Sequence, residues 1–185
     1  MEKNMKVIYL PDSEPGPDVV HLAPSPASLD GLRIAVLDNG KPNAALVMAR
    51  AAATLATRTG ARLELVTKKG PQGRSANAAI PCAPDIFEKV LAQADVVITG
   101  TADCGSCTAY SVYDTIELEK AGLPCVVVTT TQFAPIAATM ASSFGLPDAR
   151  TLVLDHPIGG TASAVLEQWA DAATDRLVEL FTRPA

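Results

Sequence analysis

The sequence predicts a single doubly wound α/β domain on a parallel sheet, and three observations carry that expectation. Short apolar runs alternate with helix-period segments from residue 32 onward. Apolar residues make up 48% of the chain and aromatic ones only 4%. The core is therefore to be built from Val, Ile, Leu and Ala, the composition of a sheet covered on both faces by Ala-rich helices. A length of 185 residues suits one domain with a sizeable core rather than two.

Residues 1–31 stand apart from the domain over 32–185. Val7 to Leu10 has the makings of a short strand. Pro11, Pro15, Pro17, Pro24 and Pro26 exclude regular structure from most of the rest. The segment reads as an extended N-terminal arm lying on the domain or on a partner subunit. An apolar run then predicts a first strand over 32–37. An Ala-rich helix over 43–59 follows, with Met48, Ala52 and Leu55 on one face and Gly60 ending it. The second strand covers 62–67. A polar loop with Gly70, Pro71, Gly73, Pro81 and Pro84 leads to a helix over 85–93. The third strand covers 95–99, and a helix over 107–121 is closed by Gly122. The fourth strand runs over 123–130, and a helix over 136–144 ends at Gly145. After a fifth strand over 150–154, one last helix covers 161–181, with Val165, Trp169, Ala173, Leu177 and Leu180 along a stripe.

Five strands alternating with helices predict right-handed crossovers and the flavodoxin-like or Rossmann-like order 2-1-3-4-5. Sheets of this kind bind ligands at the carboxyl ends of their strands, where the strand order reverses. That point lies between the first and third strands. Two loops converge there: Asp38-Asn39-Gly40-Lys41-Pro42-Asn43, and Gly100-Thr101-Ala102-Asp103-Cys104-Gly105-Ser106-Cys107.

A Cys-x-x-Cys at a helix start has a physical logic. Unpaired backbone N–H groups and the helix dipole favour a thiolate at the first cysteine, and the thiolate is the reactive species. The second cysteine, one turn on, can attack a mixed disulfide and resolve it. Cys104 is the expected nucleophile and Cys107 the resolver. Gly105 keeps bulk away from an approaching substrate, and Ser106 is placed to donate a hydrogen bond to the thiolate. Two other readings stay open: a pair of small buried residues, and a zinc site, against which stands the usual need for four ligands. No metal is assigned on the sequence.

The run Asp103-Cys104-Gly105-Ser106-Cys107-Thr108 is followed by Ser111-Val112-Tyr113-Asp114 and Glu117-Leu118-Glu119-Lys120. With Leu37-Asp38-Asn39-Gly40-Lys41-Pro42-Asn43 before it and Asp155-His156-Pro157-Ile158 after it, this resembles the UGSC-motif proteins, named for a (seleno)cysteine-Gly-Ser-Cys signature. The resemblance covers about residues 30–160 in the right order. It implies that selenocysteine can replace cysteine at the position of Cys104. Selenocysteine is a more acidic and more nucleophilic version of the same group, so the exchange implies redox or covalent chemistry there. The family pattern often has histidine where this chain has Tyr113. Either a nearby acid/base is lost or Tyr113 replaces it as a hydrogen-bond donor, and a Cys–His mechanism is not carried over.

Other groups flank the crevice. Lys41 can stabilise a thiolate or hold a substrate anion; the plainer reading is a solvated lysine in a turn. Asn39 suits a turn with positive φ and Asp38 caps it, or either contacts a ligand. Asp103 is expected as the N-cap of the cysteine helix, because a catalytic carboxylate there would oppose thiolate formation. Asp114 shares a helix face with Cys107 two turns on and is read as orienting a loop. His156, directly after the fifth strand, is a general-base candidate; otherwise it is a loop histidine bonded to backbone. Thr129, Thr130, Thr131 and Gln132 end the fourth strand beside the cysteine loop as ligand contacts or a last strand turn. His21 lies in the arm with no evident role. Cys125 opens a buried strand and reads as core, and nothing specifies a role for Cys82.

The chain holds 20 acidic and 15 basic side chains, for a net charge of −5, with no basic cluster interleaved with aromatics. Nucleic acid is therefore not an expected partner. No stretch reaches the roughly 18 apolar residues of a membrane span, and the N-terminus does not read as a signal peptide. Four cysteines without an export signal are expected to be cytoplasmic thiols. No cofactor is expected, since neither Gly-x-Gly-x-x-Gly nor a Walker loop is present and strand order alone does not license a flavin. The expected partners are a small-molecule substrate, a thiol or thioredoxin-like electron donor, and a second copy of the chain in a homodimer. Three functions follow: a thiol oxidoreductase cycling Cys104 and Cys107; covalent catalysis by Cys104 without net redox, as hydrolase, lyase or isomerase; and a redox-responsive accessory or binding protein.

Overall fold

Each central strand is sealed on both faces because its side chains alternate between two helical layers. In the computed structural model, which describes residues 18–70 and 78–184, β1 (Arg33–Asp38), β2 (Arg62–Lys68), β3 (Val96–Ala102), β4 (Cys125–Thr130) and β5 (Thr151–Leu154) form one sheet. All pairings are parallel and the order is 2-1-3-4-5, as expected. All seven residues of β3 and all six of β4 are buried, whereas edge strand β2 alternates exposed and partly buried positions.

The helices are α1 (Ala44–Thr59), α2 (Pro84–Gln93), α3 (Gly105–Lys120), α4 (Ala134–Ser143), α5 (Ser163–Ala172) and α6 (Thr174–Thr182). On one face Ile34, Val36, Ile98 and Val128 pack with Val47, Met48 and Leu55 of α1 and with Leu166, Leu177 and Phe181 of α5 and α6. On the other, Ala35, Leu37 and Val97 meet Val90 of α2 and Leu118 of α3. Burying one such side chain contributes roughly 1.5–3 kcal/mol, so the two layers supply most of the drive to fold. Gly100, at φ 140° on β3, shows how closely the strands approach: a Cβ there would lie 2.8 Å from the Val128 carbonyl oxygen.

The expected last helix over 161–181 is two helices. The backbone leaves α5 at Ala173, whose N–H bonds to Trp169 O, and Thr174 Oγ1 donates to Asp171 O at 2.8 Å before α6 begins. Leu166 and Ala170 keep one stripe and Leu177 and Leu180 a second, so a continuous apolar pattern concealed the break.

The side chains of α1 and α5 are tied by Asp171, which accepts from Arg50 Nε and Nη2, both at 2.7 Å, and from Thr54 Oγ1 at 2.8 Å. The Arg50 hydrogen bonds, with that of Thr54, hold the Asp171 carboxyl down at about 2 against an ordinary 3.8. A carboxyl depressed on folding contributes stability above its unfolded value, and that contribution is lost as pH falls through the folded one. Asp171→Asn is therefore expected to lower stability modestly above about pH 4, to flatten the acid limb between about pH 4 and 2, and to converge with the wild type below that. Chemical denaturation across that range checks it.

Residues 18–32 follow the domain surface without helix or strand. Val20 N–H bonds to Gly145 O at 2.9 Å, and Val20 and Leu22 pack on α3 and α4 beside Val112, Ile116 and Ala141. The suggested strand at Val7–Leu10 and the loop residues Pro71 and Gly73 lie outside the described residues. Among the described residues, no helix is long and apolar enough to cross a membrane.

Candidate functional site

The two cysteines straddle the first turn of α3, which begins two residues earlier than the sequence suggests. Gly105 and Ser106 are already helical, so Cys104 itself is the N-cap, with extended φ −155° and ψ 170°. Asp103, expected as the cap, lies one residue before it. Cys104 O instead closes the turn, accepting from Thr108 N at 3.0 Å and from Thr108 Oγ1 at 2.6 Å. Cys104 and Cys107 lie at disulfide distance with Cα atoms 5.4 Å apart. Cys104 is partly exposed and Cys107 fully buried. Cys107 Sγ lies 3.2 Å from the Cys104 carbonyl oxygen and 3.7 Å from Asp103 Oδ1. As a thiol, Cys107 thus has acceptors for its proton, and Cys104 is the sulfur open to a reactant.

Gly105 and Ser106 are exposed, and a Cβ on Gly105 would meet nothing within 4 Å. Among the described residues Ser106 makes no side-chain hydrogen bond, and its expected donation to Cys104 is not formed. Burial pushes the Asp103 carboxyl above its usual range; the charges of Lys41 and His156 and the Gly159 N–H pull the other way. Asp103 therefore marks where the loops after β1, β3 and β5 converge.

Lys41 is half-buried on the β1 loop, its N–H donating to Asn39 Oδ1 at 3.2 Å. Asp38 Oδ1 accepts from Gly40 N at 2.8 Å, the turn cap expected of it. Asn39 does not have positive φ; Gly40 and Asn43 do, at 76° and 65°. Asn39 is fully buried, and its amide donates to Thr101 O at 2.8 Å and Ser111 Oγ at 3.2 Å. Those bonds use both amide hydrogens, so Asn39 braces the loop from within. Its side chain is small and polar enough to sit in a turn or in the interior, and only the fold decides between them.

His156 is exposed, and its Nδ1 pairs with buried Thr130 Oγ1 at 3.1 Å. The Phe133 ring lies 5.7 Å from it, centroid to centroid. This seat fixes the imidazole and leaves Nε2 free of that bond. Although β4 separates β5 from β3, the β5 loop turns back far enough for His156 to act on the Asp103 charge. Thr129 Oγ1 donates to Ala102 O at 2.7 Å and is fully buried, so it ties β4 to β3 and does not contact a ligand.

Asp114 belongs elsewhere. It pairs with the fully buried Lys69 at 3.2 Å and accepts from Cys82 N at 2.8 Å, orienting the segment that enters α2. Burial pushes the Asp114 carboxyl up and the Lys69 ammonium down, and it pushes the Cys82 thiol up to about 12. A cavity of about 270 Å³ opens beside this group, lined in part by Cys82, Phe87, Tyr113 and Asp114. Tyr113 meets Phe144 edge-on and faces that cavity. Lys69 was not singled out from sequence, because a lysine after a strand reads as solvated and only the approach of α3 buries it.

A doubly wound α/β domain with a paired-cysteine helix start at its strand-order switch point is the class that fold and site define. The UGSC family model matches residues 8–183, and the chain belongs to that family. No curated protein matches it.

Proposed function

We propose that the chain is a thiol-dependent oxidoreductase that reduces a small molecule through the Cys104–Cys107 couple. One observation carries the reading: a partly exposed cysteine at a helix N-cap, at disulfide distance from a fully buried one. The helix start favours the Cys104 thiolate. That thiolate attacks one sulfur or oxygen of a substrate with a weak S–S or O–O bond. A new bond to Cys104 Sγ forms, and the leaving group departs with the electron pair and takes a proton from the imidazolium of His156. Cys107 then gives its proton to Asp103 and attacks Cys104 Sγ, expelling the second fragment, which takes up the proton. The substrate gains two electrons and two protons while the dithiol becomes a disulfide. An external dithiol of thioredoxin-like class, or two thiols, restores the reduced form. Such a cycle fits a reducing, cytoplasmic setting.

The test uses an aromatic disulfide as probe substrate with a thiol donor. Cys107→Ser is expected to stall after one event as a mixed disulfide on Cys104, seen as a mass adduct. Sustained turnover by Cys107→Ser at the wild-type rate contradicts the reading.

A further inference from the structure

Three soft or anionic ligand atoms converge at the start of α3. The sulfurs of Cys104 and Cys107 and a carboxylate oxygen of Asp103 all lie within 4.8 Å of one another. A tetrahedral zinc site with Zn–S near 2.3 Å and Zn–O near 2.1 Å has S–O and S–S edges of about 3.6 and 3.8 Å. Asp103 Oδ1 and Cys107 Sγ already span 3.7 Å. In the reduced protein both sulfurs are free to turn about χ1 on backbone positions 5.4 Å apart.

We propose that the dithiol form of this protein binds one thiophilic divalent cation of the zinc class through Cys104 Sγ, Cys107 Sγ and the Asp103 carboxylate. Two thiolates select such an ion over magnesium or calcium, which prefer all-oxygen sets. Three anionic ligands around a divalent ion leave one net negative charge, and Lys41 is close enough to Asp103 to offset it. The Gly159 N–H, turned toward the same carboxyl, supplies the outer contact that steadies a ligating carboxylate. His156 stands outside the three-atom cluster. Among the described residues no fourth His, Cys, Asp or Glu joins the cluster, so there the fourth corner is open to water or to a small ligand, the arrangement of reactive zinc sites rather than closed structural ones. Metal binding and disulfide formation compete for the same two sulfurs, so the ion guards the dithiol against oxidation and the disulfide excludes the ion.

The proposal shares its dithiol form with the oxidoreductase reading but does not depend on turnover, so either can fail alone. The full chain, reduced with a phosphine and stripped of metal, is titrated with Cd²⁺ while the thiolate-to-cadmium ultraviolet band is followed. Zn²⁺ affinity is then measured by competition with a chromophoric chelator. Expected are one ion per chain, at least about tenfold weaker Zn²⁺ binding in Asp103→Asn, and loss of the band in Cys104→Ser/Cys107→Ser, which keeps Cys82 and Cys125. Wild-type protein oxidised to the disulfide is expected to bind none, a control that needs no variant to fold. No stoichiometric band in the reduced protein overturns the proposal, as does equal binding by the oxidised form, by Asp103→Asn or by the double variant.

Discussion

Cys104→Ser is expected to lower the reduction of an aromatic disulfide by at least about 10³-fold, without loss of fold. The hydroxyl replacing the thiol has no accessible anionic form at neutral pH, and a helix N-terminus that moves a thiol toward neutrality cannot bring an alcohol there. The position is partly exposed, so the change leaves no core cavity. The two cysteines differ in what they cost. Cys104→Ser prevents the first bond from forming, whereas Cys107→Ser permits it and prevents its resolution. Steady-state rates with the mass of the resting protein separate the two. No mixed disulfide on Cys104 in Cys107→Ser, or one on Cys107 in Cys104→Ser, would remove the assignment of Cys104 as nucleophile.

Arg150→Met is expected to destabilise the protein by about 3–5 kcal/mol, a large part of the 5–15 kcal/mol typical of a domain. Arg150 and Glu119 are an ion pair with both side chains at 0% exposure. Every arm of the pair is used. Glu119 accepts from Ala23 N at 2.6 Å and Cys125 N at 2.9 Å, while Arg150 donates to Leu180 O at 3.1 Å and to Ala23 O and Ser25 Oγ at 2.8 Å. The pair thus joins the end of α3, the start of β4, α6 and the segment before β1. Removing the cation leaves a carboxylate buried with backbone donors but no counter-charge, and that desolvation outweighs the packing methionine restores. Adding Glu119→Gln should recover part of the loss, since a neutral amide needs no partner charge. Denaturant midpoints of the three variants and the wild type check this. Strictly additive losses would mean that the pair is not coupled.

The arrangement of the sheet was legible because it rests on local patterns. Val-Val-Ile and Val-Val-Val runs bounded by turn residues can only be strands buried on both faces, and one rule of handedness then orders them. The cysteine crevice was legible for the same reason, since strand order places the loops after β1 and β3 together. What escaped depends on the third dimension. The start of α3 turned on whether Gly105 and Ser106 are helical, which their propensities do not decide. The interior pairing of Lys69 with Asp114 and of Arg150 with Glu119 was not legible, since sequence does not show which charges an approaching helix will enclose. Strand order alone sets His156 two strands from the cysteine loop, whereas the loop after β5 reaches back to Thr130 at the end of β4.

The central claim is that Cys104 and Cys107 form a working dithiol–disulfide couple. Intact-mass analysis of acid-quenched wild-type protein, equilibrated across thiol–disulfide buffers of graded potential, tests it most directly. The account predicts one reversible two-electron transition, marked by loss of two hydrogens and mapped to the Cys104–Cys107 peptide, and absent from Cys107→Ser. A pair that stays reduced across the whole range, or a disulfide that involves Cys82 or Cys125 instead, would contradict it.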